Sequence, residues 1–164
     1  MIKGIAIALA LGAVLAAPIA HAEEAIGYRE HTKTGKFEDI RDDLRDAIIN
    51  RGFVIDHVGD LHAMLDRTAE AVADVVRSDT KSPYKNAEYV QFCPLKLTHE
   101  AVRASPHAIA NCPVAIFVFE TESEPGKIHV GYRLPPATSS GELRKVNEKL
   151  VTLLDSLAKE ATEK

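Results

Sequence analysis

The sequence predicts an α+β domain: a largely antiparallel sheet of about five strands, helices on one face, and a long C-terminal helix. Three observations carry this. Apolar residues switch along the chain between helical spacing and short β-type runs, in the order strand, helix, strand, helix, strand, short helix, strand, strand, helix. The runs Val114–Glu120 and Lys127–Leu134 flank Ser123-Glu124-Pro125-Gly126, a turn signal between two strands of a hairpin. Leu143, Val146, Leu150, Leu153, Leu154 and Leu157 form one apolar stripe on a terminal helix.

Each element has its own warrant. Tyr28–Thr34 reads as a first strand. Phe37, Ile40, Leu44, Ala47 and Ile48 share one helical face, and Gly52 suits the left-handed position just past that helix. Phe53–Val58 alternates as a strand. Asp60 is placed to cap a second helix, whose stripe of Leu61, Met64, Leu65, Ala69, Val72 and Val76 carries it to Arg77. Ser78–Asn86 has loop composition. Glu88–Cys93 is a strand stopped by Pro94. Leu95–Ala104 is a short helix closed by Pro106. Pro135–Ser140 is a linker, and Ser139 with Glu142 has capping-box spacing ahead of a helix over 141–160.

The first residues, MIKGIAIALALGAVLAAPIAHAEE, have another character. Lys3 supplies a positive start, Gly4–Ala17 is apolar, and Ala20-His21-Ala22 offers small residues before Glu23. This is the pattern of a secretory signal peptide over residues 1–22, cleaved after Ala22, and it is short for a membrane span. Residues 23–164 then form a single domain destined for the periplasm or the cell exterior, with no membrane contact after cleavage. Of 20 basic residues the leader takes Lys3, which leaves 19 against 24 acidic ones and a net charge of −5. The basic residues are interspersed with acidic ones, so no nucleic-acid partner is expected. There is no tryptophan, and the core rests on Val, Ile, Leu and Ala.

Several short signals combine in one order. Arg51-Gly52-Phe53 closes the first helix, Phe92-Cys93-Pro94 ends a strand, and Pro106 ends the helix after it. Cys112-Pro113 leads into Val114-Ala115-Ile116-Phe117-Val118-Phe119-Glu120, and Gly131-Tyr132 lies in the return strand. Over Phe37–Pro135 this resembles the bacterial domain-of-unknown-function family 302. The resemblance implies a small α+β domain with an antiparallel sheet, often a homodimer, and brings no catalytic residues. A dimer seam along Leu143–Leu157 is one expectation.

The chemistry centres on Cys93 and Cys112, the two cysteines of the sequence. A Cys-x-x-Cys dithiol, a Cys-x-x-Cys-His haem attachment motif, a phosphate loop and a Gly-x-Ser-x-Gly elbow are all missing, and Arg103 replaces the second histidine of a zinc-protease motif begun by His99-Glu100. Three readings stay open. A Cys93–Cys112 disulfide suits an oxidising compartment if the strands bearing the cysteines are antiparallel, and would contribute roughly 3 kcal/mol. A metal or haem site would draw on Cys93, Cys112, His57, His62, Met64, His99, His107 and His129, whose thiolate, imidazole and thioether groups suit transition metals. A reactive thiol at Cys93, with His99 as base, would make the chain a redox or sulfur-transfer enzyme. A transition metal, haem and no cofactor at all fit these residues equally. His62 and Asp66, four apart on a helix, form a candidate imidazole–carboxylate pair. The expected role is a small secreted binding or accessory protein, with the ligand held near the cysteines.

Overall fold

The computed structural model describes residues 27–72, 82–137 and 141–164; the signal-peptide residues 1–22, the end of the second helix near Arg77 and the capping residue Ser139 lie outside them. The described elements are strand β1 (Tyr28–Thr34), helix α1 (Phe37–Asn50), β2 (Ile55–Asp60), α2 (Leu61–Val72), β3 (Tyr84–Phe92), α3 (Leu95–Ala104), a 3-10 turn (Pro106–Asn111), β4 (Val114–Thr121), β5 (Lys127–Arg133) and α4 (Gly141–Glu163). Among the described residues the strands form one sheet in the order β1-β5-β4-β3-β2, with every neighbouring pair antiparallel. The chain is α+β, as the alternation of periods predicts.

Successive strand residues point to opposite faces. In β4, Val114, Ile116 and Val118 point one way and are buried, while Ala115, Phe117 and Phe119 point the other way and are half-buried. Register carries this across the sheet: Val90 faces Ile116, and Val118 faces Val130. The buried face packs against Ile40, Leu44 and Ile48 of α1 and Leu150, Leu154 and Leu157 of α4. Each such side chain contributes roughly 1.5–3 kcal/mol by leaving water. Most of the apolar stripe of α4 is therefore buried in the chain's own core, while Leu143 and Leu153 stay half-buried.

Local signals explain several boundaries. Gly52 follows α1 with φ +77°, and Gly126 closes the β4–β5 turn with φ +82°. Asp60 caps α2, its Oδ1 accepting from the Ala63 N–H at 2.8 Å. Glu120, buried near the end of β4, accepts from Gly126 N–H at 2.6 Å, Lys85 Nζ at 3.1 Å and Asn86 Nδ2 at 3.0 Å. Burial pushes its pKa up, but these donors outweigh it and hold the carboxyl below the ordinary glutamate value.

Two expectations are corrected. The loop expected through Asn86 ends earlier: β3 begins at Tyr84, and Lys85 and Asn86 bond to Glu120 beside β4. Among its described residues the α2 stripe stays out of the core: Met64 is 40% exposed and Ala69 is exposed. Helix α3 ends at Ala104 ahead of Pro106, as expected, and a 3-10 turn then opens at Pro106.

Candidate functional site

The sheet face turned away from α1 and α4 is aromatic. Phe117 and Phe119 project from β4, with ring centroids 6.0 Å apart. Tyr28 meets Phe117 edge-on at 5.9 Å, and Tyr84 meets Phe119 edge-on at 5.5 Å. His129 on β5 stacks flat on Phe119 at 4.4 Å, and His57 on β2 lies 5.8 Å from Tyr89. Two glycines make the close packing sterically feasible. A Cβ at Gly131 would enter the Phe117 ring, and one at Gly59 would enter the Tyr89 ring, so each ring lies over a bare stretch of the neighbouring strand.

The tyrosines and phenylalanines of this face line a cleft of about 740 Å³. Its floor is Ala87, Ala115, Phe117 and Phe119, and Tyr28, Tyr84, Tyr89 and Leu61 stand around it. Leu61 comes from the first turn of α2, so that helix borders this face instead of joining the α1–α4 layer. The polar lining includes Glu30, Gln91 and Arg133. Glu30 is held in place: its Oε1 accepts from Nδ1 of His129 at 3.1 Å, and the His129 side chain is 11% exposed. The imidazole is thereby fixed on both sides, by ring stacking and by the carboxylate.

The predicted ligand residues are scattered. Cys93 and Cys112 are joined as a disulfide, with Cα atoms 6.0 Å apart. The antiparallel β3–β4 pair brings the end of one strand beside the start of the next, which is the geometry that reading requires. Neither sulfur is left as a thiolate to bind a metal or act as a nucleophile. His62 pairs with Asp66 at 3.5 Å, as the four-residue spacing suggests. His99 and His107 are exposed on α3 and the 3-10 turn, Met64 is exposed on α2, and His57 and His129 belong to the aromatic face. Among the described residues no three His, Cys, Asp or Glu side chains are grouped to hold a metal ion.

Sequence reasoning missed the cleft itself, above all Glu30 and the paired aromatics. A signal was present. An unbroken apolar run such as Val114–Phe119 means that both faces of a strand are apolar, so the second face needs a cover or a use. His31 was missed too: its Nε2 donates to Asp155 Oδ1 at 2.8 Å, and Tyr132 Oη donates to the same oxygen at 3.1 Å.

The family described as "Domain of unknown function DUF302" matches residues 29–161, from β1 to near the end of α4. A crystal structure of an uncharacterized conserved protein DUF302 from Bacillus stearothermophilus is similar in fold, with a TM-score of 0.67 and 11% identity, covering 84% of this chain and 99% of that one. No curated protein matches.

Proposed function

This chain belongs to the DUF302 family, and on that premise we propose that it is a secreted or periplasmic binding or accessory protein whose ligand is a small, flat, largely apolar molecule seated on the aromatic sheet face. The observation that carries this reading is the cleft of about 740 Å³, lined by five partly exposed aromatic rings and few polar groups. Its volume falls in the range of small-molecule sites, and an apolar lining with few oriented polar groups is what such sites share. Export is supported by the leader pattern of residues 1–22 and by the disulfide, a bond that persists in oxidising compartments. No helix among the described residues is long and apolar enough to cross a membrane. The ligand site accordingly moves from the cysteines to the opposite sheet face. A homodimer, if formed, uses a surface other than the buried part of the α4 stripe.

The test is titration of the purified mature chain with Nile red, a flat neutral dye whose emission rises in apolar surroundings. Saturable binding is expected, abolished by Ala115→Arg, which fills the cleft floor from a half-buried position. Equal binding by a folded Ala115→Arg variant overturns the assignment.

A further inference from the structure

The polar groups of the cleft are not equivalent, and their differences point to the charge of the ligand. Glu88 lines the cleft, but its carboxylate is turned to α1, where Arg45 Nη2 holds it at 2.6 Å and Arg41 Nη1 lies at 3.6 Å. Arg133 lines the same cleft and stands opposite Tyr28 in the β1–β5 register, but it is exposed, so solvent and salt screen its charge. Glu30 is different. It faces Gly131 in the β1–β5 register, and Gly131 is the residue over which the Phe117 ring lies. Its side chain is 31% exposed, and among the described residues His129 meets it through Oε1. A carboxylate partly withdrawn from water beside apolar rings favours a positive partner more strongly than one in open solvent. The rings add to this, since the faces of Tyr and Phe attract cations.

Resting on the cleft assignment above, we propose that the site selects a flat organic cation, an aromatic amine or quaternary ammonium whose charge sits between Glu30 and the Tyr28–Phe117 pair. Tyr28 is 43% exposed and stands two residues before Glu30 on the same face of β1, so one wall offers a ring and a carboxylate to the same group. His129 acts as a positioning residue: bonded to Glu30 and stacked on Phe119, it keeps the carboxylate from rotating out to solvent.

The experiment compares three dyes on the mature protein: cationic thioflavin T, neutral Nile red and anionic anilinonaphthalene sulfonate. Thioflavin T is expected to bind more tightly than the anionic dye. Glu30→Gln is expected to weaken thioflavin T about tenfold and leave Nile red within twofold, and Ala115→Arg to abolish both. Because Glu30→Gln also alters the bond between β1 and His129 of β5, the salt dependence of the wild-type chain provides a second readout. Added sodium chloride should weaken thioflavin T and spare Nile red. Tighter binding of the anionic dye, or a folded Glu30→Gln variant with unchanged thioflavin T affinity, overturns the cation assignment while leaving the cleft intact. Failure of Ala115→Arg to affect any dye overturns the cleft assignment itself.

Discussion

Phe117 on β4 lies directly over Gly131 on β5, in a space that any larger residue at 131 would need for its own Cβ. The relationship ties strand pairing to the cleft, because the same added Cβ would also press on the backbone oxygen of Arg29 in β1. Gly131→Ala is therefore expected to destabilise the fold by about 1–3 kcal/mol, as an overpacked site does. It should also weaken dye binding by displacing the ring. Urea unfolding checks the first effect, and Nile red titration the second. A variant with wild-type stability would mean that Phe117 moves freely and is no fixed wall.

Removing the disulfide by replacing both Cys93 and Cys112 with serine is expected to cost roughly 3 kcal/mol by the chain-entropy argument. The loss should be uneven. Helix α3, inside the closed segment, has no fully buried residue and is otherwise anchored by the half-buried Leu97 against the core and by the exposed Glu100–Lys149 pair. Hydrogen exchange should quicken in α3 and the 3-10 turn before it does in β3 and β4. Dye binding at the far face should persist, and its loss would place the disulfide closer to function than the structure does.

Acid should release α4 at one identifiable point. Burial alone would raise the pKa of Asp155, but hydrogen bonds from His31, Lys159 and Tyr132 outweigh it and hold the value at about 2. The folded pKa thus lies below the unfolded value of about 3.9. The stabilisation is complete above roughly pH 4 and is lost as pH falls toward 2. Its size is about 1–2 kcal/mol, after discounting the partial exposure of the group. Asp155→Asn should flatten the fall in stability between those two pH values. An unchanged acid profile would remove Asp155 from the account.

Glu120 predicts a larger loss. Glu120→Ala strands the Gly126 N–H, Lys85 and Asn86 at once. The expected cost is about 2–4 kcal/mol by urea unfolding, with Glu120→Gln milder because it keeps one acceptor oxygen. Equal effects from the two substitutions would mean that the negative charge, rather than the hydrogen bonding, holds this corner.

Fold and site differ in how far they can be read without coordinates. The helix face Phe37, Ile40, Leu44, Ala47 and Ile48 is legible because the periodicity of one helix is local information, and all five residues are buried as it predicts. Asp60, Gly52 and the turn ending at Gly126 are legible for the same reason: caps and turns depend on residues within a few positions of each other. The start of β3 was not legible, since Tyr84–Asn86 pairs with the end of β4 around Glu120, residues distant in the chain.

By itself the sequence determined the element order, the α+β class, the core stripes, the secretory pattern at the N-terminus and the family resemblance. Tertiary structure alone decided that Cys93 and Cys112 bond to each other, because only antiparallel pairing of β3 and β4 sets them side by side. It alone placed the candidate site on the opposite face as well. Glu30 and His129 lie far apart in sequence, and their pairing follows from the pleat and register of β1, β5 and β4, which no local spacing encodes.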